Sequence, residues 1–376
     1  MRTPVAWLNL RHRKARTAAA LTGVAMAITL IFLQIGFYRA ALKSAVLILE
    51  QFKFDVAIVS AQYVILRVPG SLARSRLQQT QAVAGVLRTA PLYLGIALAQ
   101  LPSRDARREV AILGIDPANA PWSSPANARA ATVLSTLDTV VLDSKVGPGY
   151  ASLRRGETIE LDGRRVSIVG EYSHGPGFTG NAALVTSDRT FARIFGRPNR
   201  DVVSLGLVQL TAGADPNAVA AQLRKILPGD TRVLTRGELE GHEQRWTMNV
   251  KPVGFMFTSG VLLAFIVGAV ILYQILATEI INHLREYATL KAMGFSTFAL
   301  NIIVWKQAVL YAVFGFVPAA ILSTAIYMSI DATTTLPTEM TLEKLVSVFI
   351  IVTAMCLVAG TAAVRKVNRA DPADLF

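Results

Sequence analysis

The chain has 376 residues, of which 52% are hydrophobic and 17% charged, with a mean hydropathy of +0.44, a formal net charge of +13 and one cysteine. Soluble domains carry roughly 25% charged residues, so this balance excludes an ordinary soluble protein. The lone Cys356 excludes an intramolecular disulfide, and the basic residues cluster only beside apolar runs, the signature of lipid headgroups rather than nucleic acid.

Arg2, Arg11, Arg13, Lys14 and Arg16 precede the first long apolar run, "AAALTGVAMAITLIFLQIGFY" (18–38), which has no charge. About 20 apolar residues suffice for a helix to cross the hydrocarbon core. The run exceeds the 7–15-residue core of a secretory signal, and no small-residue cleavage pattern precedes Arg39, so a retained anchor is expected. The helical pattern continues through "RAALKSAVLILEQF", which predicts a stalk to about residue 53.

Residues 54–252 read as a large α+β domain. Strand-like runs occur at 54–60, 63–68, 93–101 and 108–116, with a helical stretch at 71–85. "APWSSPANARAAT" (120–132) reads as an exposed connection between two lobes whose boundary falls near 120–135. "ETIELDGRRVSIVGEYS" (157–173) is a hairpin turning on Asp162–Gly163. "DPNAVAAQLRKIL" (215–227) is an amphipathic helix with Asp215 as N-cap and Pro216 at its first position.

Chemistry is sparse in this domain. "GPGFTG" (175–180) satisfies G-x-G-x-x-G, but a dinucleotide site needs a helix opening on the third glycine. Here "NAALVTSDRTFARIF" predicts a strand, then a helix capped by Ser187 or Asp188, so the glycines read as a loop. His12, His174, His242 and His283 have no partner at i+4, and no cysteine pair exists, so no zinc site is expected. A catalytic triad through His174 has no G-x-S-x-G to support it. No G-x-x-x-x-G-K-[ST] occurs, so any ATP used would bind another chain, and no catalytic, cofactor or metal residue is assigned to this one.

Three further runs can span: "VGFMFTSGVLLAFIVGAVILYQILA" (253–277), the run 307–330 within an interfacial-plus-span segment 298–330, and "LVSVFIIVTAMCLVAGTAAV" (345–364). Pro318 is tolerable inside a span because neighbouring helices re-satisfy the freed carbonyl. Lys306 stands at the end of the third span, where it can snorkel. Gln34 and Gln274 are the main polar groups within the spans, which argues against a polar conduit. Positive charge before the first run, and at Arg365, Lys366 and Arg369 after the last, predicts both ends (1–17 and 365–376) cytoplasmic. The domain and the short loop 331–344 then face outward, and residues 278–297 face inward.

That inner loop holds "LREYATLKAMGFS" (284–296). Burying Arg285, Glu286 and Lys291 mid-membrane would cost about 2.5–3.5 kcal/mol each, so the stretch lies outside the bilayer. Ile281, Leu284, Tyr287, Leu290 and Met293 recur as a helical stripe, with Gly294 as a stop. A connector lying on the membrane and a docking helix for a cytoplasmic partner both fit this pattern.

"REYATLKAMGFS" resembles the "REIGILRALGAS" segment of the MacB/FtsX-type ABC permease family. "FALNIIVWKQAVLYAVFGFVPA" and the tail "VRKVNRADPADLF" resemble the segments that follow it in that family, except that Lys306 stands where the family has Glu and Phe316 replaces a Gly. More narrowly, the opening "MRTPVAWLNLRHRKARTAAALTGVAMAITLIFLQIGF" and "LDSKVGPGYASLRRGETIEL" are similar to cyanobacterial DevC-type permeases. The resemblance implies an integral membrane protein with four transmembrane helices and a large α+β extracytoplasmic domain between the first two. It implies a homodimer in the bacterial inner (plasma) membrane, with ATP and Mg on a separate ATPase subunit docked on Leu284, Arg285, Glu286, Tyr287, Leu290, Lys291, Met293 and Gly294. By mechanotransmission the outward domain would then drive efflux with a periplasmic adaptor (membrane fusion protein) and a TolC-like outer-membrane channel. The family's alternatives are control of a cell-wall hydrolase or lipoprotein release; a membrane-anchored enzyme is the reading from a different class.

Overall fold

The computed structural model describes residues 14–101, 107–150, 153–173, 182–196, 201–250, 253–282, 297–333 and 336–368. They form two compact units: a helical unit of residues 1–39, 254–329 and 338–376, and an inserted unit of residues 40–253 with 330–337.

Among the described residues, four helices build the helical unit: α1 (Lys14–Glu50), whose residues from Ala40 onward belong to the inserted unit, with α7 (Val253–Asn282), α8 (Thr297–Thr333) and α9 (Leu342–Asn368). Each carries a window long and apolar enough to cross a membrane: Leu21–Glu50, Gly254–Thr278, Val304–Ala332 and Leu342–Arg365. Their shared core joins Ile28 and Phe32 to Leu272, Leu276, Tyr311, Val352 and Met355. Their outward faces are apolar too, with Met26 63%, Phe255 78%, Leu263 61% and Ile350 62% exposed. A helix apolar on every side suits lipid rather than water. Pro318 sits inside α8 without ending it.

The inserted unit is organised by one nine-stranded sheet in the order β11-β1-β10-β3-β4-β8-β5-β7-β6. The strands are β1 (Val56–Ser60), β2 (Leu72–Ala73, outside this sheet), β3 (Val86–Gln100), β4 (Arg107–Ile115), β5 (Thr139–Asp143), β6 (Thr158–Leu161), β7 (Arg164–Tyr172), β8 (Ala183–Ser187), β9 (Val202–Val203, paired with β2), β10 (Leu205–Leu210) and β11 (Thr231–Thr235). β4–β8 and β5–β7 are parallel; the other pairings are antiparallel. A further pairing of Ala99 and Gln100 on β3 with Leu161 and Glu160 on β6 closes β3, β4, β8, β5, β7 and β6 into a ring. Closure removes sheet edges, so β11 is left as the free margin. β3 is long enough to serve twice: Val86–Leu92 pair with β10 and Leu92–Gln100 with β4.

Both faces of the sheet are covered. α2 (Ser75–Gln81), α4 (Asp188–Ile194) and α5 (Pro216–Ile226) supply Leu77, Phe191 and Leu223 to one core, with Ile58, Ile112 and Leu184. The end of α1, α3 (Pro125–Ala131) and α6 (Arg236–Asn249) supply Leu49, Ala131 and Leu239 to the other, with Ala57, Leu113 and Val185. Two-sided cover is why β1, β5 and β8 are buried at every position.

Local chemistry sets the boundaries. Asp215 accepts from the N–H groups of Asn217 (3.0 Å) and Ala218 (3.3 Å) with Pro216 behind it, as the sequence predicts. Ser187, rather than Asp188, caps α4. Thr235 and Glu238 form a capping box on α6. Asp162 (φ 46°) and Gly163 (φ 83°) take the left-handed pair of a two-residue hairpin turn between β6 and β7.

Two expectations need correction. Residues 63–68 are not a strand: the chain doubles back through an Ile65–Val68 bridge, with the Val68 N–H donating to the Ile65 carbonyl at 2.8 Å. Residues 120–132 are not an exposed connection. The Phe52 ring lies 4.9 Å from Trp122, Asn127 donates to the Gln51 side chain at 3.0 Å, and Ser124 caps α3. The stretch reads as loop because its buried partners, Gln51 and Phe52, stand some 70 residues earlier.

Candidate functional site

The segment singled out in the sequence, Leu284, Arg285, Glu286, Tyr287, Leu290, Lys291, Met293 and Gly294, lies outside the described residues, as do His174 and "GPGFTG". The structure does describe both helices that bracket the segment and what holds them.

α7 ends at Asn282 and α8 opens at Thr297. Near that end, Leu276 and Ile280 of α7 are buried, as are Val304, Gln307 and Ala308 of α8. Their common seat is Gly360 on α9: a Cβ there would lie 3.4 Å from Ala308, 3.5 Å from Trp305 and 3.7 Å from Leu276. At these ordinary contact distances α7, α8 and α9 pack together around one small residue, the kind that commonly lines contacts between membrane helices. The Trp305 indole N–H donates to Thr361 Oγ1 at 3.2 Å, fixing α8 to α9 one residue further on. Ile281, Lys306 and Arg365 stay exposed around this point. The two cations keep this end polar.

Polar chemistry in the inserted unit is structural in pattern. Glu243 on α6 is buried, accepting from the Tyr63 hydroxyl at 2.6 Å and the Leu66 N–H at 3.2 Å. Burial pushes its carboxyl above the usual range, opposed by those two hydrogen bonds and by His242. Burial and the neighbouring Glu243 also push the Tyr63 hydroxyl up. His242 Nε2 meets the main-chain carbonyl of Val64 at 2.7 Å, so it is engaged with backbone rather than with a nucleophile. Among the described residues no three His, Cys, Asp or Glu side chains are grouped as metal ligands. An open cleft of about 330 Å³ runs along the β11 margin beside Leu227, Thr231 and Arg232. Its Arg224 is already committed, donating to the Val233 carbonyl at 2.9 Å and to Glu238 at 2.6 Å.

Sequence reasoning missed the Glu243–Tyr63 pair and the Gly360 seat. Glu243 had no local signal, because its partners are 177 and 180 residues away.

Comparison with known proteins gives two family matches that together cover most of the chain: the MacB-like periplasmic core domain over residues 17–226, and the FtsX-like permease C-terminal domain over residues 258–372. The chain is 25% identical over 376 residues to proteins described as uncharacterized ABC transporter permeases of Mycobacterium bovis and Mycobacterium tuberculosis, covering 98% of this chain and 97% of those. Among solved structures, it matches the periplasmic region of MacB from Actinobacillus actinomycetemcomitans at 11% identity and a TM-score of 0.37, covering 52% of this chain and 94% of that one.

Proposed function

The chain belongs to the MacB/FtsX type of ABC transporter permeases, and from that premise we propose that it transmits the ATP-driven motion of a separate ATPase subunit to its inserted domain. The observation that carries this reading is the pair of family matches, supported by the charged stretch 284–296 that separates two long apolar runs in the sequence. In this reading Leu284 to Gly294 contact the ATPase, both chain termini lie in the cytoplasm of a bacterial inner membrane, and the inserted domain faces outward, which the basic flanks support. The chain works as a homodimer and carries no nucleotide of its own.

The output is efflux with a periplasmic adaptor and a TolC-like channel. The DevC-like opening segment and residues 142–161 support that subtype, and the apolar character of the spans supports a substrate that does not cross them. The test is Glu286→Arg and Leu290→Asp. Each is expected to abolish stimulated ATP hydrolysis and pull-down of the ATPase while leaving membrane insertion intact. Normal pull-down by both variants overturns the assignment. Recovery of a cell-wall hydrolase with the tagged chain, in place of an adaptor, overturns efflux in favour of signalling.

A further inference from the structure

One arginine at the rim of the closed ring faces its core. Arg108 stands on β4 opposite Ala99 of β3 and two residues before Val110, and Ala99 and Val110 both belong to the core that fills the ring. Residues two apart on a strand share a face, so the Arg108 side chain leaves the sheet on the core side. Its neighbours there are apolar or aromatic: Leu161, paired with Ala99, and Tyr150 and Leu153 from the loop after β5.

The guanidinium is held in place without a counter-ion. Its Cζ lies 5.7 Å from the centroid of the Tyr150 ring, and its Nε is buried with no acceptor. Gly149 lies against it, where a Cβ would fall 2.6 Å from Nη1 and 3.0 Å from Cζ. Tyr150 itself is 3% exposed and firmly fixed. Its hydroxyl donates to the Glu109 carbonyl at 2.7 Å, and its N–H donates to the Gly147 carbonyl at 2.8 Å.

The nearby acids are engaged with other groups. Glu109 pairs with Arg67 at 3.5 Å, Asp143 accepts from the Lys145 N–H at 3.1 Å, and Asp331 pairs with the Lys145 ammonium at 3.1 Å. Among the described residues, none accepts a hydrogen bond from Arg108. A charged donor removed from water with no acceptor is unfavourable for the fold alone. A guanidinium stacked on a rigid ring keeps its fork pre-set, and that fork matches two oxygens of a phosphate or carboxylate.

The same loop reaches the level at which α8 leaves its apolar window. Asp331 is one residue from the end of that window at Ala332, and it belongs with the inserted unit. From Lys145, on Asp331, the backbone to Gly149 spans about 14 Å at most, shortened by the turn at Pro148–Tyr150. A bilayer adds a polar layer of roughly 5–7 Å on each side of its hydrocarbon, so headgroup phosphates are the anions at hand.

We propose that Arg108, on its Tyr150 platform, binds a phosphate group, that of a lipid headgroup in the leaflet on the inserted unit's side of the membrane. The seat is independent of the coupling role proposed above.

Hydrogen exchange of the full chain tests this in nanodiscs of phosphatidylglycerol and of digalactosyldiacylglycerol, a bilayer lipid without phosphate. Amides of residues 145–150 are expected to exchange about fivefold or more slowly in the phospholipid. Arg108→Gln should remove that difference while exchange of residues 140–142 stays unchanged, which shows the ring folded. Gly149→Ala, whose methyl displaces the guanidinium, should remove it too, and stands in should Arg108→Gln fail to fold. Lys145→Gln should keep it. Equal exchange in the two lipids, a difference that survives Arg108→Gln, or one lost only with Lys145→Gln overturns the proposal. Full protection by millimolar inorganic phosphate in the galactolipid overturns the lipid source in favour of a soluble phosphate. Protection by poly-glutamate but not by phospholipid makes the seat a site for an acidic partner, and overturns it as well.

Discussion

Glu243→Ala should release the loop at residues 61–68 from α6. The substitution removes the acceptor of two buried donors, the Tyr63 hydroxyl and the Leu66 N–H. Each group left unsatisfied costs about 1–3 kcal/mol, so a combined loss of about 3–4 kcal/mol is expected even before the emptied volume is counted. Hydrogen exchange of the full chain in nanodiscs reads this directly, since about 3 kcal/mol corresponds to a rise of roughly a hundredfold in exchange of residues 61–68. Glu243→Gln should behave differently. Its amide oxygen can accept from Leu66 N–H while its NH₂ donates to the Tyr63 oxygen, and it never ionises in a buried site.

The pH dependence has a definite sign. Because burial raises the folded-state pKa of Glu243, its stabilising contribution is fully present below the unfolded carboxyl value of about 4.3 and is lost as pH rises through the raised one. Wild type should therefore hold the loop more tightly on acidification, and its disadvantage against Glu243→Gln should shrink in the same direction. His242, on the Val64 carbonyl, Arg232, which donates to the Tyr63 carbonyl at 3.4 Å, and Arg67 of the loop itself, paired with Glu109 at 3.5 Å, are charged or titratable groups at the loop. A Glu243→Ala variant whose exchange at 61–68 rises less than about threefold, or a Gln variant as damaged as Ala, would refute this account.

Three smaller tests follow from packing. Gly36→Ala places a methyl on the Tyr327 ring and should destabilise the helical unit by roughly 1–3 kcal/mol; Tyr327→Leu in the same chain should restore part of the loss in a detergent melting assay. Thr235→Ala removes the side-chain half of the α6 capping box and should cost about 1 kcal/mol, visible as faster exchange in the first turn of α6 only. Gly114→Val would drive side-chain atoms into Phe191, whose Cβ already lies 2.8 Å from a Cβ built at that glycine, so loss of protease resistance in the inserted unit is expected by overpacking.

What could be read from the sequence divides by distance along the chain. Charge cost and run length found the spans, and the caps at Asp215 and the Asp162–Gly163 turn were readable because cap and capped residue sit within four positions. Residues 63–68 looked like a strand by composition, yet Glu243, about 180 positions away, draws the Tyr63 and Leu66 donors to α6 in a doubled-back loop. The closed ring was equally invisible: it depends on Ala99 and Gln100 meeting Leu161 and Glu160, a pairing with no local mark. In the helical unit, Gly36 looks like any apolar-run glycine until Tyr327, whose ring it admits, is known.

β3 belongs at once to the closed ring and to the open sheet, through different halves of its length. Tension along that strand loads its ladders in shear, where many hydrogen bonds must fail together, rather than in peel, where they would open one by one. Between those halves the load is borne by covalent backbone near Leu92, where both ladders meet. Were that domain pulled, this continuous beam would let a tug on either half arrive at the other undiminished.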